Sequence, residues 1–220
     1  MQHGLFVEVQ KSFQAAANPV RANKQQAYMR NLFPFFGLQT EARRALQKDV
    51  FSSFALSSEQ EIEPLLRLLW NQREREYQYC AIDLAKYHIK KLSLLSLPLL
   101  QELIKQKSWW DTVDDLAVNL VGKLVGSELQ LMDKWISDPD LWIRRTALIC
   151  QLKRKSATDS HRLFEYCLQR AHEEDFFIRK AIGWALREYS KTNPLAVKNF
   201  IALNQSVLSG LSIREASKYV

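Results

Sequence analysis

Three segments in the later part of the chain are variants of one pattern, and that recurrence limits the fold more than any other feature. They are "WWDTVDDLAVNLVGKL" (109–124), "DLWIRRTALICQLKRK" (140–155) and "DFFIRKAIGWALREYSK" (175–191). Each opens on an acid or an aromatic, passes through a hydrophobic residue and a charged pair, and enters an apolar run. "EREYQYCAIDLAKYH" (74–88) is a weaker fourth copy. Aligning Asp114, Arg145 and Lys180 as equivalent positions gives spacings of 31 and 35 residues, the length of a two-helix hairpin. The tetratricopeptide signature W-x2-L-G-x2-Y is missing, so HEAT-like pairs are the better reading.

Periodicity elsewhere agrees. Apolar residues recur at helical spacing, β-branched alternation is nearly absent, and Gly 6 and Pro 6 punctuate the chain sparsely. The reading is all-α: a curved superhelical solenoid of HEAT-like two-helix repeats, forming a single domain over residues 1–220. Asn18 before Pro19, Thr40 before Glu41 and Asp138 before Pro139 have the form of an N-cap followed by a first helical residue.

A formal charge of +7 and a pI near 9.3 favour a polyanionic partner. Cys80, Cys150 and Cys167 fall within apolar helical patterns and form no C-x-x-C motif, which points to a reduced, intracellular compartment. His3, His88, His161 and His172 are scattered without ligand spacing, so no metal is expected. "MQHGLFVEVQ" lacks the basic and long apolar regions of a signal peptide, and no run of 18 apolar residues exists. Phosphate-binding glycine loops, H-E-x-x-H, G-x-S-x-G and kinase signatures are absent, which argues against nucleotide-driven or metal-driven chemistry.

The stretch "KSWWDTVDD" (107–115) holds the densest chemistry. Ser108 and Asp111 fit a capping box. Trp109, Val113, Leu116 and Leu120 fall at core spacing. Trp110 then shares a face with Asp114, one turn on, and Asp115 is rotated toward solvent. Asp114 is either an ion-pair partner of Arg145 in the next repeat or a site residue. In the last copy, Ile178, Ile182, Ala185 and Tyr189 form a core stripe, whereas Lys180, Trp184, Arg187 and Lys191 make a basic stripe with an aromatic inside it. Cations suit phosphates and an indole suits sugars or bases. Lys153, Arg154 and Lys155, with Arg43, Arg44 and Lys48, add positive charge.

"KSWWDTVD" (107–114), "FFIRKAIGWALREYSKTNP" (176–194) and "FFGLQTEARR" (35–44) resemble the AlkD-type DNA alkylation repair proteins, HEAT-like-repeat DNA glycosylases, and the resemblance runs from about residue 5 onward. It implies excision of N-alkylated purines, chiefly 3-methyladenine and 7-methylguanine, from double-stranded DNA. By the family's motifs Asp114 is the catalytic carboxylate and Trp110 contacts the damaged nucleotide. Trp184 packs against the DNA. Arg145, Lys153 and Arg187 contact its backbone, and Tyr28 and Gln39 line the same surface. Lys180, Arg43 and Arg44 join them as DNA-binding residues by charge. Glu41 stands where the family has a proline. The chemistry implied needs no cofactor and no metal, and the chain is expected to be a monomer, free of membranes, in the cytoplasm and on the nucleoid when bound. The competing class is a HEAT-like scaffold or structure-specific DNA binder without catalysis.

Overall fold

A computed structural model describes residues 2–219, with side chains from Gly4; the side chain of His3 and the end residues Met1 and Val220 lie outside the described part. The described residues form helices and connecting turns, with no strand. They divide into two compact units, Met1–Leu99 and Leu100–Val220. Among them no helix is long and apolar enough to cross a membrane, and no group of three or more His, Cys, Asp or Glu is placed to hold a metal ion.

The first unit contains α1 (Gln2–Ala15), α2 (Pro19–Tyr28), α3 (Thr40–Ser53), α4 (Glu59–Asn71) and α5 (Arg75–Tyr87). α1 buries Leu5, Val9 and Phe13, one stripe at four-residue spacing, against α3 and α4. α5 lies between α3 and α4 and is buried on nearly every side, so its polar residues must all find partners. Arg75 is fully buried under the Phe33 ring, 3.8 Å from its centroid. Asp83 accepts from Arg43 Nη2 at 2.9 Å and Gln47 Nε2 at 2.8 Å, and pairs with Lys86 at 2.9 Å.

Glu76 organises the loop that carries the "FFGL" sequence. Its carboxylate accepts the backbone N–H groups of Phe36, Gly37 and Leu38 at 3.0, 2.9 and 3.1 Å. The same loop holds α2, which buries only Ala22, through Arg21 Nε to Gly37 O at 2.9 Å and Gln25 Nε2 to Leu38 O at 3.0 Å. Gly37 is required here: its φ is +89°, and a Cβ would lie 2.2 Å from Asn18 O.

The second unit runs on from α6 (Leu97–Lys105), where the boundary falls. α7 (Trp110–Leu116) continues through a π-helical turn (Ala117–Val121) into α8 (Gly122–Leu124). There follow α9 (Gln130–Trp135), α10 (Leu141–Ile149), α11 (Ser160–Gln169), α12 (Phe176–Ser190), α13 (Pro194–Leu203) and α14 (Gly210–Ala216). α10 packs on α7 and α12, and α12 on α14, so alternate helices form one stacked row while α9 and α11 back it. This is the layering of helical-hairpin repeats. Val113, Leu116, Leu120, Ile143, Ile178 and Ile182 supply the apolar contacts of the row.

Several local expectations are corrected. Asn18 does cap α2, accepting from Arg21 N at 2.9 Å. α3 begins at Thr40 itself with Gln39 at the cap, and α10 is capped by Asp140, which accepts from Trp142 N and Ile143 N, two residues beyond the anticipated Asp138. The capping box in "KSWWD" does not form: Trp109 is the N-cap residue, and Ser108 Oγ donates back to Ile104 O at 2.6 Å. Trp109 is half-buried rather than core, clustered with Trp142 and Phe177 at centroid distances of 5.9 and 5.1 Å. Tyr189 is likewise half-buried, edge-on to Phe164.

The cysteines Cys80, Cys150 and Cys167 are free and buried. Desolvation pushes the Cys150 thiol up to about 12 and the other two still higher.

Because Glu76 alone satisfies three backbone donors, Glu76→Ala should cost about 3 kcal/mol or more of stability, each orphaned N–H costing about 1–3. Urea denaturation checks this; a loss under about 1 kcal/mol would mean that water replaces the carboxylate.

Candidate active site on the α7, α10 and α12 row

The row brings equivalent positions of successive repeats together. Arg145, on α10, is 4% exposed. Its Nε and Nη2 donate to Asp114 Oδ1 and Oδ2, both at 2.7 Å, and its Nη1 donates to Phe177 O at 2.5 Å. One guanidinium thus joins α7, α10 and α12 in a bidentate carboxylate pair, the geometry that fixes a carboxylate plane best. Of the two roles open to Asp114, the ion pair with Arg145 is realised. It does not close the group off, since the Asp114 side chain is 17% exposed and its carboxylate keeps lone pairs beyond the two that Arg145 occupies. Burial pushes the Asp114 carboxyl up from its ordinary value, and Arg145 opposes that shift.

Asp114 opens onto a cleft of about 330 Å³, lined also by Asp115, Val118, Asn119, Leu152, Lys153, Trp184 and Glu188. The π-helical turn shapes it, because the widened turn begins three residues after Asp114 and carries Val118 and Asn119. Asn119 links the rim: its Nδ2 donates to Asp115 Oδ1 at 2.6 Å, and its Oδ1 accepts from Lys153 Nζ at 2.6 Å. Trp184, on α12, lines the same cleft and is half-buried. Trp110, at the head of α7, is half-buried one turn before Asp114 and outside the cleft lining.

The basic stripe of α12 has an acidic partner that inspection of the stripe does not reveal. Glu215 of α14 accepts from Lys180 Nζ at 2.9 Å, Arg187 Nη1 at 2.6 Å and Lys218 Nζ at 2.9 Å. Gly183 makes this possible: a Cβ there would meet Glu215 Cβ at 2.5 Å and Ser212 O at 2.9 Å. Lys180 and Arg187 remain partly exposed, at 38% and 23%.

In the first unit Tyr28 and Gln39 are exposed, as is Arg44, which reaches Asp83 at 3.4 Å. Arg43 is 5% exposed, bonded to Asp83 and stacked over Tyr79 at 4.8 Å. Asn119, Glu188 and Glu215 were not singled out from the sequence. Glu188 had a usable signal, since it lies at i+4 from Trp184; the partners that tie Asn119 to Lys153 and Glu215 to Lys180 and Arg187 lie 28–35 residues away.

The model of the family described as DNA alkylation repair enzyme matches residues 9–220. Among solved structures, one described as a predicted DNA alkylation repair enzyme from Enterococcus faecalis is 36% identical, with a TM-score of 0.85, covering 93% of this chain and 96% of its own. The smu.31 protein of Streptococcus mutans UA159 shares the fold at 18% identity and a TM-score of 0.62, covering 79% of this chain and 90% of its own. No curated protein matches the chain.

The Glu215 cluster makes a pH-dependent contribution to stability. The Lys180 hydrogen bond, with that of Lys218, holds its carboxyl down from 4.5 to about 2. A folded-state value below the unfolded one stabilises the protein above about pH 4.5, and that contribution is lost as the pH falls toward about 2. The stability gap between the protein and Glu215→Gln should therefore narrow over that range in urea titrations. A gap independent of pH would count against the ionic account.

Proposed function

Since the chain belongs to the DNA alkylation repair enzyme family, we propose that it is a DNA glycosylase. Its substrates are N-alkylated, cationic purines such as 3-methyladenine and 7-methylguanine in duplex DNA, and it hydrolyses their N-glycosidic bonds. The observation that carries this reading is the Asp114 carboxylate, fixed in plane by Arg145 at the wall of an open cleft that also presents the Trp184 indole.

Alkylation at N3 or N7 gives the purine a positive charge. As the bond from its nitrogen to C1′ breaks, the bonding electron pair goes to the base, which leaves neutral and needs no general acid. Positive charge develops on the deoxyribose, a water adds to C1′, and the proton it loses passes to Asp114 or solvent. One carboxylate beside C1′ serves both to stabilise the sugar cation and to orient the water, where O-glycosidases use two. An indole face adds cation–π attraction. Because the leaving group arrives already activated, the chemistry asks for no metal or cofactor.

Pre-organisation is the contribution of Arg145. A buried guanidinium with its donors committed to Asp114 and Phe177 acts as a positioning residue for the carboxylate rather than as a phosphate contact. Duplex binding is assigned to the exposed cations and polar groups: Lys153, Lys180 and Arg187 near the cleft, with Trp110 at the damaged nucleotide and Tyr28, Gln39 and Arg44 on the first unit. Arg43 supports this set by holding Asp83.

A second reading is a DNA-binding scaffold without catalysis. It draws on the same Arg145 pair, because an acid so matched can be purely structural.

The readings separate in one assay. Methylated duplex DNA incubated with the protein should release free methylpurines, and Asp114→Asn should keep duplex affinity while lowering release by about 10²-fold or more. Tight binding with no release establishes the scaffold. Release requires ionised Asp114, so the rate should fall as the pH drops through a value above the usual aspartate range. Arg145→Gln, removing the interaction that opposes burial, should move that limb to higher pH. In binding, Lys153→Gln should flatten the salt dependence by about one unit and Arg145→Gln should leave it unchanged; an equal loss in both would make Arg145 a phosphate contact.

A further inference from the structure

We infer that Lys180, Arg187 and Lys218 form one site for a backbone phosphate of duplex DNA, with Glu215 as the residue that positions them. The inference deepens the duplex-binding part of the reading above and rests on it. Lys218 and Glu215 are new to that surface, and the four residues act as a single unit. Glu215 stands 35 residues after Lys180, the interval that separates Arg145 from Lys180, so it occupies the next equivalent position of the row.

The row therefore holds two ion pairs of opposite polarity. In the first the cation is the sheltered member, with the Arg145 and Asp114 side chains 5% and 17% exposed. In the second the acid is sheltered: Glu215 is 13% exposed, against 38%, 23% and 50% for Lys180, Arg187 and Lys218. Three cations on one carboxylate leave positive charge in excess. All three lie within 2.9 Å of that carboxylate, close enough together to share a further anion. Among the described residues, the bond to Glu215 is the one side-chain hydrogen bond that each of them makes. An ammonium has three donors and a guanidinium five, so most of their donors remain for a second anion. Converging charged donors are what phosphate oxygens accept best.

The identity of the anion follows from the neighbours. Trp184 lies one turn beyond Lys180 on α12 and lines the Asp114 cleft. A strand whose deoxyribose meets Asp114 carries a phosphate at every step along its length, which makes the backbone the anion this cluster faces.

Glu215 keeps its cations in this role. Its carboxyl, held down to about 2 by the Lys180 and Lys218 hydrogen bonds, stays ionised wherever a duplex is intact. Ser212 Oγ donates to Arg179 O at 2.9 Å, and with the close approach at Gly183 this fixes α14 on α12. Without the carboxylate, three cations would repel one another, and each long side chain would regain rotamers that a bound phosphate must freeze again. An acid on a DNA-binding face thus strengthens binding.

Anisotropy titrations of undamaged duplex with the full-length protein, over a range of salt, test this. Lys218→Gln should weaken binding and flatten the salt dependence by about one unit. Glu215→Gln raises the net charge by one, yet it should weaken binding about tenfold without steepening the salt dependence, and Glu215→Asp should recover part of the loss. Were Glu215 only a neutralising acid, Glu215→Gln would tighten binding and steepen the salt dependence; that result overturns the inference, as does an unaltered slope in Lys218→Gln. Circular dichroism shows which variants fold, and Lys218→Gln, on the exposed last turn, decides alone if Glu215→Gln does not. The phosphate itself is located with duplexes carrying one neutral methylphosphonate at a time. At one position the substitution should weaken the wild type more than Lys218→Gln; equal losses at every position count against the site. None of these readouts needs turnover. Methylpurine release with unaltered binding in the variants sinks the phosphate site alone, whereas the expected binding changes without release sink the glycosylase reading and leave the site standing.

Discussion

A guanidinium buried to the extent of Arg145 has to be matched in charge and in hydrogen bonds, because an unpaired buried cation is among the costliest groups a fold can carry. The second unit satisfies it by stacking repeats so that an acid one repeat back and a carbonyl one repeat forward converge on it. Helix spacing, the facing of Asp114 and the opening of the cleft all follow from that requirement. Apolar contacts alone would hold α7, α10 and α12 together, but they would allow the helices to slide; a bidentate pair does not.

The first unit repeats the principle with other residues. α5, buried on most sides, is matched by Arg43 and Gln47 at Asp83 and by a loop of backbone amides at Glu76. Positive charge throughout the chain is thereby divided into two populations. Arg43, Arg75 and Arg145 are internal fasteners, while Arg44, Lys153, Lys180 and Arg187 reach solvent. An overall charge of +7 therefore includes cations that are sealed inside and out of a polyanion's reach.

What could be read from the sequence was whatever depends on periodicity. The repeats, the row of equivalent positions and the pairing of Asp114 with Arg145 were legible because a spacing of 31 residues fixes which helices stack. Features that depend on where the backbone turns were not. Ser108 and Asp111 have the residue types of a cap, yet the chain enters α7 one residue later, and Ser108 turns back to Ile104. The π-helical turn has no composition of its own, so the positions of Val118 and Asn119 on the cleft could not be deduced from ideal helical angles. Glu215 was hidden because a charge stripe on one helix says nothing about an acid that a glycine contact brings in from another. Trp109 misled for a related reason: core spacing identifies a face, and that face ends at an aromatic cluster near the surface.

The buried thiols have a chemical consequence of their own. The electrophiles that methylate purine nitrogens also attack sulfur, and they attack the thiolate far faster than the thiol. In this chain Cys80, Cys150 and Cys167 are enclosed at 0%, 2% and 0% exposure, and each is held protonated by its apolar surroundings. A member of an alkylation repair family has to persist in the conditions that create its substrates. Keeping its most nucleophilic atoms out of reach lets the protein outlast the damage it answers.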